Sequence, residues 1–185
     1  MHRIFPVLAA VAVLFLAVSL ALGLRIGDPL GGADKAALGR IGPHFLVGLA
    51  TCLIVVLVMS IAVTYFIGTS RWCREVSDTY RLDPQFAARS NQLKRSAFPY
   101  ALGGMLVMVI VAALGAAGDP AAALQAQPPG GLPWSTVHLA AALVGTAFLA
   151  FSFVMLWLAI DEHRRVIADI LAEVRRIRQE KGLEV

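Results

Sequence analysis

Charge is missing from long stretches of this chain. The runs 4–24, 45–67, 97–117 and 137–160 contain no Asp, Glu, Lys or Arg. Charged residues make up 15% of the chain and hydrophobic residues 58%. A soluble domain must turn a polar exterior to water, so this balance excludes one. Cysteine is scarce too. Cys52 and Cys73 would lie ~31 Å apart along one helix, too far to bridge. Without a carboxylate, Lys or Arg inside the runs, the chain lacks what ion-coupled transporters, proton relays and voltage sensors generally need. No Ser-His-Asp set, Cys-x-x-Cys, phosphate-binding glycine loop or His-Glu-x-x-His is present, which argues against an enzyme. Met59, Met105, Met108 and Met155 are scattered, as packing residues are, rather than grouped as copper ligands.

What the chain does have is length in those runs. At ~1.5 Å rise per residue each reaches ~30 Å or more, the thickness of a bilayer core. The expected fold is an all-α membrane protein with four transmembrane helices in an up-down bundle. The spans fall at about 4–24, 43–68, 97–117 and 135–160, within a transmembrane domain 1–163. Residues 164–185 form a cytoplasmic amphipathic helical tail, with Ile167, Ile170, Val174 and Ile177 in one apolar stripe. Pro6, Pro43 and Pro99 stand at the starts of spans, where the missing N–H costs nothing. Ser135 is the expected N-cap of the fourth span. Asp83-Pro84 reads as a cap followed by Pro at the first helical position, opening a short basic helix up to Ser96. Ser19-Leu20-Ala21 resembles a signal-cleavage site, but the apolar run continues past it to Leu24, so this segment reads as a retained span.

Lys and Arg set the expected orientation. Arg3, six residues of loop 69–96 and six of the tail after 160 total thirteen; loop 25–42 holds three and loop 118–136 none. The positive-inside rule puts both termini and loop 69–96 in the cytoplasm, at a bacterial inner membrane. The net charge of +4 then suits anionic lipid headgroups at the inner face rather than nucleic acid.

The chain also repeats itself. Phe5-Pro6 matches Phe98-Pro99, Ala21-Leu22-Gly23 matches Ala113-Leu114-Gly115, and Gly27-Asp28-Pro29 matches Gly118-Asp119-Pro120. His44 then matches His138, with offsets throughout of 91 to 94 residues. Two copies of one helical hairpin explain this pattern. Both histidines then stand at nearly one height, at the outer rim of the second and fourth spans. Across the diagonal of a bundle, two imidazoles can reach one metal from opposite sides, as haem axial ligands do. Gly48 and Ala142, one turn below each histidine, would leave room for a ring. His44, His138, Gly48 and Ala142 are thus a candidate haem b site, with the histidines as iron ligands. Histidine is also tolerated at an interface with no ligand at all. His2 and His163 read as solvated cytoplasmic residues.

Three functions remain compatible. The first is a small non-catalytic scaffold or accessory subunit of a membrane complex, docking to a membrane-protein partner or to copies of itself through the basic loop and tail. The second is a b-type haem electron-transfer protein with bis-His ligation near the outer face. The third is a small oligomeric transporter.

Overall fold

In the computed structural model, residues 1–26, 35–117 and 129–183 are described. The two Gly-Asp-Pro tags of the repeat lie outside them. Among the described residues four helices carry the fold: α1 (Ile4–Leu24), α2 (Lys35–Tyr80), α3 (Pro84–Ala117) and α4 (Trp134–Glu180), with a 3-10 turn at Pro129–Gly131. Each of the four is long and apolar enough to cross a membrane.

Neighbouring helices run antiparallel. Thr51 Oγ1 on α2 donates to the Phe15 carbonyl on α1, and Ser60 Oγ on α2 meets Met105 Sδ on α3. Gly145 on α4 lies against Val111 and Val107 on α3. α2 and α4 also touch, whereas α1 and α3 share no contact among the described residues. The cross-section is therefore a rhombus, with α2 and α4 on its short diagonal.

The core follows from helical spacing. Thr51, Val55, Val58, Met59, Ala62 and Phe66 form the inward stripe of α2, and Leu149, Phe153, Leu156 and Ile160 that of α4. Phe5, Ala12 and Leu16 complete it from α1, and Ala97, Ala101 and Met108 from α3. The outward faces are equally apolar: Leu53 is 64% exposed and Val144 72%. Helices that are hydrophobic all round belong in lipid.

Three helices outrun the apolar segments at one end, called here the basic end. There α2 stops in a Schellman motif. Arg81 adopts φ 52°, Leu82 N–H donates to the Ser77 carbonyl at 2.9 Å, and Arg81 N–H reaches that of Asp78. Asp83 Oδ1 then accepts from Gln85 N–H at 2.9 Å and Pro84 opens α3. α4 continues unbroken past Ile160. Its Ile167, Ile170, Val174 and Ile177 pack against Trp72, Val76, Tyr80 and Phe86.

Several local expectations are corrected. The helix opened by Pro84 does not end at Ser96; it runs through Pro99 into the third span, one lost backbone hydrogen bond being small against 34 residues of helix. α4 starts at Trp134 behind Pro133, so Ser135 is inside the helix and caps nothing. α2 starts at Lys35, which places Pro43 and His44 more than two turns into the helix rather than at its start.

Small residues set the helix crossings, as expected where burial in lipid supplies little drive. A Cβ at Gly145 would fall 2.9 Å from Val111 Cγ2 and 3.2 Å from Val107 Cγ1, side chains that helical rotamer preference holds stiff. A Cβ at Gly68 would meet nothing within 4 Å. Gly145→Ala is therefore expected to destabilise the bundle by about 1–3 kcal/mol, and Gly68→Ala to stabilise it by up to about 1 kcal/mol. Unfolding in mixed detergent micelles measures both; equal effects would refute this packing account.

Candidate functional site

The antiparallel packing brings His44 and His138 together. His44 on α2 and His138 on α4 have ring centroids 6.2 Å apart, with the rings inclined at 70°. Each ring lies against a glycine of the preceding helix. A Cβ at Gly23 would sit 3.0 Å from His44 Cε1, and one at Gly115 would sit 2.9 Å from His138 Cε1. At both positions only glycine lets the imidazole edge rest on the neighbouring backbone.

The backbone orients one of the two rings. His44 Nδ1 donates to the Ser19 carbonyl at 3.1 Å, four residues before Gly23. His138 Nδ1 is buried without a hydrogen-bond partner. A carbonyl that engages Nδ1 fixes the tautomer and leaves Nε2 as the lone-pair nitrogen, the usual way a ligating histidine is held.

Of the residues expected at this site, His44 and His138 are adjacent. Gly48 faces α1 instead, where a Cβ would stand 3.6 Å from Ser19 Oγ. The glycines touching the imidazoles are Gly23 and Gly115. Their signal was present in the sequence as the repeated Ala-Leu-Gly tag. It was read as a marker of repetition and not as a surface for the histidines.

The donor set narrows what a metal here would have to be. No cluster of three or more His, Cys, Asp or Glu able to hold an ion occurs among the described residues. Zinc in a structural or catalytic site takes at least three protein ligands. Haem iron needs only two axial ligands, because the macrocycle supplies the rest.

The basic end holds a third histidine in a different state. His163, expected to be solvated, is completely buried. Its Nε2 lies 2.8 Å from Ser90 Oγ, which donates to Ser70 Oγ at 3.1 Å; Ser70 Oγ donates back to the Ser90 carbonyl at 3.4 Å. Because the Ser90 hydrogen is used on Ser70, Nε2 is the donor to Ser90. Nδ1 is then the acceptor, facing the Tyr65 hydroxyl at 3.4 Å. Tyr65 and Phe66 present their rings to the imidazole at 5.7 and 5.6 Å. Burial pulls the His163 pKa down to about 4 and pushes the nearby Cys73 thiol up. The correction has a sequence basis. The tail stripe, extended backwards by helical steps from Ile167, passes through His163 to Ile160 and Leu156.

Comparison with known proteins finds no relative: no protein-family model, no curated protein and no solved structure matches this chain.

His163 makes the fold sensitive to acid. Between its folded pKa of about 4 and an ordinary value near 6.5, the unfolded chain binds the extra proton. The contribution of neutral His163 is thus complete above about pH 6.5 and declines as pH falls toward 4. His163→Phe is expected to flatten the stability profile across that window. Thermal unfolding in detergent at a series of pH values tests it; an unchanged slope would place the sensitivity elsewhere.

Proposed function

We propose that this protein is a membrane electron carrier that holds one b-type haem between His44 and His138. The observation that carries this reading is the 6.2 Å separation of the two imidazole centres. Two imidazoles bound to one ion from opposite sides at about 2 Å, each centre roughly 1 Å behind its nitrogen, stand about 6 Å apart. Direct ring contact also spans that distance. What favours ligation is the doubled support: a glycine of the preceding helix against each ring edge. A stray interfacial pair has no need of matched support. The doubled-hairpin reading of the sequence accounts for it, since one hairpin used twice delivers two like ligands to one level.

His44 and His138 would hold the haem, with Gly23 and Gly115 backing their rings. When bound, haem supplies a one-electron couple. The chain's part would be to present both imidazoles, hold His44 Nδ1 on the Ser19 carbonyl and surround the group with apolar helices. The positive-inside bias puts this site at the outer face of a bacterial inner membrane, with both termini cytoplasmic. There a quinone or a periplasmic protein is a suitable exchange partner.

The scaffold reading has less support. Its docking surface was to include the tail stripe, and that stripe is already covered by α2 and α3 of the same chain. The transporter reading finds no Asp, Glu, Lys or Arg within the apolar runs to rest on.

Protein purified from haem-replete cells is expected to be red, with a sharp Soret band at one haem per chain. His44→Ala and His138→Ala should each abolish it, whereas replacing the exposed His2 should not. Gly115→Val should displace the His138 ring and lower haem occupancy at least several-fold. A folded, colourless wild-type protein after haem supplementation would sink the proposal.

A further inference from the structure

A cavity of about 420 Å³ opens between α2 and α3 at the basic end, lined by Ile67, Ser70, Arg71, Arg74, Ala87, Ala88, Asn91 and Lys94. Its position matters. Ile67 closes the charge-free run of α2, and Lys94 stands three residues before the charge-free run of α3 begins. The cavity therefore straddles the level where hydrocarbon gives way to headgroups. Its chemistry is divided in the same way. Ile67 contributes apolar wall at the membrane side, and Arg71, Arg74 and Lys94 contribute three cations.

These cations are not consumed within the chain. Arg71 is bonded to Glu75 through Nε at 2.7 Å, which leaves both of its Nη groups for another acceptor. Arg74 and Lys94 make no ion pair among the described residues. Asn91 and Ser70 add neutral hydrogen-bonding groups. An excess of positive charge beside an apolar wall at the membrane boundary fits a phosphodiester whose acyl chains stay in the bilayer.

We propose that this cavity is a binding site for the headgroup of one anionic phospholipid, held by Arg71, Arg74 and Lys94. A free phosphate would satisfy the cations without using the apolar wall. An acidic peptide would have to work at the edge of the bilayer. The proposal is independent of haem binding at the opposite end of the bundle.

Native mass spectrometry of the full chain in mild detergent tests it, with phosphatidylglycerol and phosphatidylcholine as probes. The wild type is expected to retain one phosphatidylglycerol and to hold phosphatidylcholine at least about tenfold more weakly. Arg74→Gln combined with Lys94→Gln should lose that preference. Ala88→Trp should weaken retention too, by filling the cavity without changing its charge. Unchanged helicity and melting of both variants would keep the readout local. Equal retention of the two lipids would overturn the proposal, as would unaltered phosphatidylglycerol binding by the double variant. Displacement by millimolar inorganic phosphate would overturn it in favour of a phosphate site, and displacement by an acidic peptide in favour of a protein partner.

Discussion

Close approach of helix backbones is the constraint on which the rest of this molecule depends. Apolar surface buried against a neighbouring helix gains little over apolar surface buried against lipid, so packing has to come from fit. Glycine provides it at matched points. Gly104 receives Met59 and Leu149, Gly145 receives Val111 and Val107, and Gly23 and Gly115 receive the two histidine rings. The first pair of sites fixes how closely α2, α3 and α4 approach in the middle of the bundle. The second pair fixes where His44 and His138 lie. A bundle held apart by alanine at the crossings would leave the rings further separated.

The same side chain is used in two opposed ways. At His163 both ring nitrogens have partners, the ring is fully buried, and two aromatic rings flank it. Nothing is left over for a ligand, and neutrality is enforced by burial. That imidazole is a brace joining α2, α3 and α4. At His44 only Nδ1 is engaged, and at His138 not even that atom completes a bond. The contrast is between a histidine with both nitrogens engaged and a pair in which His44 uses Nδ1 alone and His138 Nδ1 has no partner; it is the second kind on which the proposal of ligation rests.

Much of this was legible in the sequence. The absence of charge from four runs is a statement about solvent, and the four long apolar helices follow from it. The pairing of His44 with His138 was legible because both stand at the same offset, 91 to 94 residues, as the other matched tags of the chain. Helix boundaries were less legible. Pro43 and Pro99 read as starts, yet α2 and α3 run through them, since a long helix absorbs one missing donor. His163 was misread because its neighbours Asp161, Glu162, Arg164 and Arg165 are charged. One buried residue within a charged stretch is betrayed only by periodicity, and the stripe had been started one turn too late. The roles of Gly23 and Gly115 were hidden for another reason. A glycine's value lies in what rests upon it, and that partner is on another helix.

The basic end explains why three of the four helices are longer than a bilayer requires. Past Ile160, α4 carries its apolar stripe onto α2 and α3, and Leu82 packs with that stripe at the turn between them. The Schellman motif at Arg81 and the Asp83 cap hold α2 and α3 at a fixed angle where they enter this small second core. Arg89 and Glu162 pair across α3 and α4 at its edge. The consequence is a second packed core beyond the apolar runs, made by α2, α3 and α4 together. The cavity between α2 and α3 borders it: Ser70, which lines the cavity, is bonded to Ser90 in the network that buries His163.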